Sequence, residues 1–192
     1  SLEFGGPNSE PSVSAPGGSH STRATRNSEL IVIAADTTVL LDGDMLNKPA
    51  DAAEAWAMLR RLRGRTHVVQ SCIVVAHADG REDVGIISSE VVMRDYSDEE
   101  IAAYIASGDP FDKAGSYAVQ HPAFQPVAEI RGCPLNVIGL SLCQMRAWLP
   151  ALPACEGVCT AWFGKACPAR LNDPAHTVSG QISNLKNNGD YP

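Results

Sequence analysis

Three short segments carry side chains whose types and spacing could do phosphate chemistry. The first is Ala35-Asp36-Thr37-Thr38-Val39, in which a lone acid follows the apolar run 30–35. A carboxylate directly after a buried strand sits at a sheet edge, where ligands of α/β folds commonly bind. There it can hold a divalent ion or deprotonate water. The other two are Asn47-Lys48-Pro49 and Asp112-Lys113-Ala114-Gly115. Both lysines fall in loops between periodic segments, and ammonium groups neutralise phosphate oxygens as point charges. One acid and two lysines facing each other would make a pocket for a metal-bound polyphosphate. Taken singly, the segments read better as a turn aspartate and two solvated lysines. Neither G-x-x-x-x-G-K-[ST] nor G-x-G-x-x-G occurs, so the chain has no glycine-rich phosphate loop of the familiar kinds.

The elements that must position these residues alternate between strand and helix. Run 30–35 reads as a short buried strand, and 39–41 resumes extended structure before an Asp42-Gly43 turn. Asp51, with Glu54 three residues on, opens a helix whose stripe is Ala55, Met58, Leu59 and Leu62 and which Gly64 stops. Two β-rich runs, 67–77 and 84–93, flank Asp79-Gly80, a strong hairpin signal. Ser97 and Glu100 open a second helix carrying Ile101, Tyr104 and Ile105, closed by Gly108. A strand at 127–130 and a helical stretch at 135–149 complete the pattern. It is an α/β chain built around a mixed sheet with antiparallel hairpins flanked by helices.

Composition bounds the rest. The 192 residues suit one domain, and 44% apolar content supports a sizeable core. The organised region is 30–149. Residues 1–29 read as a flexible arm, since Ser, Gly and Pro supply fourteen of the first thirty positions, and 150–192 read as a poorly ordered tail. The net charge of −7 argues against nucleic acid as a partner. No apolar run approaches the roughly 18–20 residues of a membrane span. Six scattered cysteines without a tight framework suggest a reduced, cytoplasmic setting. The first residue is Ser1 rather than Met, which reads as a processed product or a fragment.

The combination is more specific than its parts. Asp36-Thr37-x-Val39, Lys48-Pro49, Leu62-x-Gly64-Arg65-x-His67-x-Val69, Asp112-Lys113-Ala114-Gly115-x-Tyr117-x-x-Gln120 and Ile130-x-Gly132-Cys133-x-x-Asn136-Val137-x-Gly139-Leu140 follow one another in order. Over about 30–145 the chain resembles the Maf family of nucleoside triphosphate pyrophosphatases, also called septum formation inhibitor Maf. The resemblance implies a Maf and ITPase-like α/β fold. It implies hydrolysis of a nucleoside triphosphate to the monophosphate and pyrophosphate, with Mg2+ or Mn2+ as the divalent cofactor. By the same resemblance Asp36 is the proton acceptor and lies close to the metal. Lys48 and Lys113 engage the phosphates, and Asp112 is a metal-shell or lysine-orienting residue. Thr37 and Gln120 select the base. Thr with Gln at those positions resembles the dTTP and UTP branch rather than the 7-methyl-GTP branch, and a buried amide at Gln120 suits the pairing of a base edge.

Family members also carry a preceding strand, a Ser-x-x-Arg-Arg loop and helices, and here about thirty polar residues stand in that place. Ser21-Thr22-Arg23-Ala24-Thr25-Arg26 has neither the spacing nor the strand. The expectation is a sheet lacking its N-terminal strand, weak triphosphate binding, and an open edge prone to pairing in a homodimer. The alternative is an impaired nucleotide-binding or dimer-forming protein. In the tail, Cys155-x3-Cys159-x7-Cys167 with His176 could gather zinc, although the spacing is not that of a standard knuckle. His67 reads as structural, Trp56 and Trp148 as packing residues, and Asp98-Glu99-Glu100 as helix N-terminal charge.

Overall fold

Asp42 and Gly43 both take positive φ, 56° and 89°, as the central residues of a tight hairpin turn require. They join two strands, β1 (Ile31–Leu41) and β2 (Asp44–Leu46), paired from Val39↔Leu46 to Leu41↔Asp44. In this computed structural model the described residues are 30–152, 156–163 and 177–179. After β2 come helix α1 (Ala52–Leu62), strands β3 (Thr66–His77) and β4 (Glu82–Met93), and helix α2 (Asp98–Ala106). Strand β5 (Val127–Arg131), helices α3 (Pro134–Ile138), α4 (Leu142–Trp148) and α5 (Glu156–Phe163), and strand β6 (Thr177–Ser179) follow. The sheet order is β2-β1-β3-β4-β5 with β6 also on β4, and every pairing is antiparallel.

Local chemistry explains the element ends. The Asp51 carboxylate accepts the Glu54 N–H at 2.9 Å and opens α1. At α2 the capping box is complete, with Glu100 N–H donating to Ser97 Oγ and Ser97 N–H to Glu100 Oε2. The Asp79-Gly80 turn closes the β3–β4 hairpin, whose register runs from Ala76↔Glu82 to Thr66↔Val92.

Alternation along β3 buries His67, Val69, Ser71, Ile73 and Val75 on one face. Under one end of that face, Leu59 and Leu62 of α1 and Ile101 and Tyr104 of α2 pack on Val39, Leu41, Val69 and Val91. Under the other, Met145 of α4 packs on Ile73, Val75 and Ile87. Each fully buried aliphatic side chain contributes about 1.5–3 kcal/mol. Between the two clusters lies a polar belt. Asn136 Nδ2 donates to the Val69 carbonyl and to Ser89 Oγ, both at 3.1 Å, and Ser89 Oγ donates to the Cys133 carbonyl at 3.0 Å.

Two expectations need correction, at 30–35 and at 135–149. Residues 30–35 are not a buried strand: Leu30 precedes the eleven-residue β1, 31–35 belong to it, and all are exposed, because among the described residues β1 is paired on its β2 side only at 39–41 and no helix covers 31–36. The stretch 135–149 is two helices, interrupted at Gly139, whose φ of 129° no helix accommodates. The strand after Asp42-Gly43 went unread because three residues carry too little pattern. In the described part of 150–192, Cys159 of α5 is buried against Cys133 and Leu135. Cys155, Cys167 and His176 of the zinc reading lie outside the described residues, as does the arm at 1–29.

Candidate active site

Asp36 stands inside β1, not after it. Its Cα pairs with Cys72 across β3, and its other side is open among the described residues. Thr37, on the opposite face of the strand, points into the polar belt: its Oγ1 lies 2.7 Å from Ser71 Oγ and 3.4 Å from the Gly139 carbonyl. Ser71 Oγ in turn donates to the Asn136 carbonyl at 3.3 Å.

The two lysine loops are tied together. Gly115 N–H donates to the Asn47 carbonyl at 3.1 Å, next to Lys48. Gly115 has a φ of 72°, and a Cβ there would come within 3.1 Å of Val39 Cγ1, so glycine is what lets the second loop settle onto β1. Lys113 sits between two single turns of 3-10 helix, Asp109–Asp112 and Ala114–Ser116. Its ammonium contacts Asp112 at 2.6 Å and Asp109 at 3.0 Å. Burial alone would lower the Lys113 pKa, but the bonds to Asp112 and Asp109 outweigh it and hold it above the usual value. The hydrogen bond from Lys113 keeps the Asp112 carboxyl below its usual range.

All six residues singled out from sequence, Asp36, Thr37, Lys48, Asp112, Lys113 and Gln120, line one cavity of about 380 Å³. Gln120 is exposed, not buried, because residues 119–120 form a turn at the cavity mouth. A second cavity of about 580 Å³ shares Asp36, Thr37 and Lys48 with the first. Sequence reasoning gave no role to Tyr117, a member of the motif series, which also lines the first cavity and whose hydroxyl lies 2.7 Å from His67 Nε2. Burial pushes the His67 imidazole down to about 4 and the Tyr117 phenol up, so both are neutral near pH 7. It also missed Asp109 and Tyr104, for which only the spacing of Asp109 four residues before Lys113 gave a signal.

No group of three or more His, Cys, Asp or Glu gathers among the described residues. The cavity is lined by two carboxylates, Asp36 and Asp112, and two lysines, Lys48 and Lys113, too few protein oxygens for an all-protein metal cage. No helix among the described residues is long and apolar enough to cross a membrane.

Comparison with known proteins finds a family and curated relatives. Residues 15–152 match the family model of Maf-like proteins. The chain is 52% identical over 111 residues to a dTTP/UTP pyrophosphatase of Thermomicrobium roseum, covering 58% of this chain and 50% of the relative. It is 48% identical over 120 residues to one from Nitratidesulfovibrio vulgaris, covering 62% and 57%, and 42% identical over 123 residues to one from Dictyoglomus thermophilum, covering 64% of each. The chain thus spans about half to two-thirds of the length of these curated relatives. A motif series read in order, a cavity that collects its members, and a family match over most of the chain lead to one conclusion: this protein belongs to the Maf-like family.

Proposed function

We propose that this protein hydrolyses nucleoside triphosphates, with dTTP and UTP favoured, to the monophosphate and pyrophosphate. The observation that carries the reading is the convergence of Asp36, Lys48, Lys113 and Gln120, spread over eighty-odd positions, on one cavity. The relatives' activity supports the choice of substrate. Asp36 takes the proton of a water that attacks the α-phosphorus; the bond from that phosphorus to the bridging oxygen breaks, and pyrophosphate leaves. Lys48 and Lys113 offset charge on the phosphate oxygens. Thr37 and Gln120 contact the base. A bound Mg2+ or Mn2+, for which Asp36 and Asp112 are the available carboxylates, supplies further charge neutralisation. The net charge of −7 favours a small phosphate ligand over nucleic acid, and the unframed cysteines suit the cytoplasm.

The test is pyrophosphate release by the full chain from a nucleotide panel, beside Asp36→Asn. The amide keeps the shape but cannot act as base, and removal of a positioned base costs about 10²–10⁴-fold in rate. Turnover by the parent chain that survives Asp36→Asn unchanged refutes the role of Asp36. No metal-dependent turnover on any triphosphate refutes the enzyme reading and favours a second one, a nucleotide-binding protein that forms homodimers. The edge of β1, open among the described residues and with Val32 54% and Ile33 47% exposed, supports that second reading.

A further inference from the structure

The Lys113 ammonium is already fully engaged. Three oxygens surround it: Asp112 Oδ1 at 2.6 Å, the Asp109 carbonyl at 2.9 Å and Asp109 Oδ1 at 3.0 Å. An ammonium has three N–H donors, so a phosphate oxygen can reach Lys113 only by displacing one of these. The three are not equivalent. Asp109 is held from behind: its Oδ2 accepts the Tyr104 hydroxyl at 2.6 Å, and that hydroxyl oxygen accepts the Ala118 N–H at 3.0 Å. Tyr104 is buried in the core. The Asp112 side chain, by contrast, is 79% exposed and can turn to water at small cost.

We propose that Asp109 is a positioning residue that keeps Lys113 at the cavity, and that Asp112 is a place-holder that yields the ammonium to an incoming phosphate. This rests on the reading of Lys113 as a phosphate ligand. It assigns opposite effects to two neighbouring carboxylates, whereas a purely Coulombic role would have both disfavour the anion and a purely structural role would move stability alone. The two carboxylates act through Lys113 and take no part in bond breaking.

The experiment is calorimetric titration of the full chain with inorganic pyrophosphate in the absence of divalent cations. Asp112→Asn removes the competitor and should tighten binding by about two- to fivefold, the size of one exposed ion pair. Asp109→Asn turns an amide donor toward the ammonium and should weaken binding by about three- to tenfold. Tyr104→Phe should weaken it less, in the same direction, and decides the matter if Asp109→Asn does not fold. In the ligand-free chain the 15N signal of the Lys113 ammonium should persist in Asp112→Asn and vanish in Asp109→Asn. Binding that tightens in both carboxylate variants, or an ammonium signal lost only in Asp112→Asn, overturns the proposal while leaving the phosphate reading in place. Failure of the parent chain and of Asp112→Asn to bind pyrophosphate at all overturns the phosphate reading, and this proposal with it.

Discussion

Val39, near the end of β1, pairs with strands on both sides, and it and Leu41 are buried in one cluster with Leu59 and Leu62 of α1. Among the described residues, 31–36 of the same strand pair with β3 alone, and Val32 and Ile33 are 54% and 47% exposed. Asp36 and Thr37 fall at the junction. Among the described residues, one half of the strand is held by packing and the other by its pairing with β3, and the candidate site sits where the first gives way to the second. A site built there gets a rigid base from the core and access to solvent from the open edge. Substitutions in the buried half should therefore act on stability, and those in the exposed half on what the edge meets.

The sharpest break between the halves is expected from Leu59→Ala, beneath Val39. It removes a side chain with no exposed surface and should cost about 2–5 kcal/mol, read from urea unfolding. A loss below 1 kcal/mol would mean that the covered half is not held by packing as described.

His67 gives an intermediate effect through pH. Its pKa is about 4 in the folded chain against an ordinary 6.5. Between those values the unfolded chain binds the proton first, so the folded state loses stability as pH falls from 6.5 to 4, by about 3 kcal/mol in all. Above 6.5 the contribution is complete. His67→Gln should flatten this part of the stability profile, while the carboxylates, common to both chains, cancel in the difference. Parallel profiles for parent and variant would remove the buried neutral imidazole from the account of how Tyr117 is held.

The smallest effect belongs to Ile33→Lys on the exposed half. An open edge tolerates the charge, and stability should change by less than about 0.5 kcal/mol. A cost above about 2 kcal/mol would show that something covers this edge in solution. Sedimentation of the parent and the variant would then show whether the cover is a second copy of the chain.

Much of the frame was legible because its signals are local. Ser97 and Glu100 are three apart and satisfy each other's backbone; Asp79-Gly80 reverses the chain between two β-branched runs; Leu59 and Leu62 share a helix face with Ala55 and Met58. The continuity of β1 was not, since Asp36-Thr37-Thr38 breaks the apolar pattern and the strand is held there by pairing with Cys72, Ser71 and Gln70, more than thirty positions away. The break at Gly139 was hidden because 135–149 keeps enough apolar residues to read as one helix. Asp109 looked like any acid near a glycine until the 3-10 turn folded it back onto Lys113.

By itself the sequence determined the element types, the hairpin, the helix caps and the six residues that converge on one cavity, because spacing and residue chemistry act at short range or in a series specific enough to identify a family. Tertiary structure alone decided which oxygens hold Lys113, that Tyr117 leans on a neutral His67, that Gln120 is exposed, and that β1 is buried at one end and bare at the other. Those outcomes depend on what packs against what, and packing partners come from distant parts of the chain that no local pattern names.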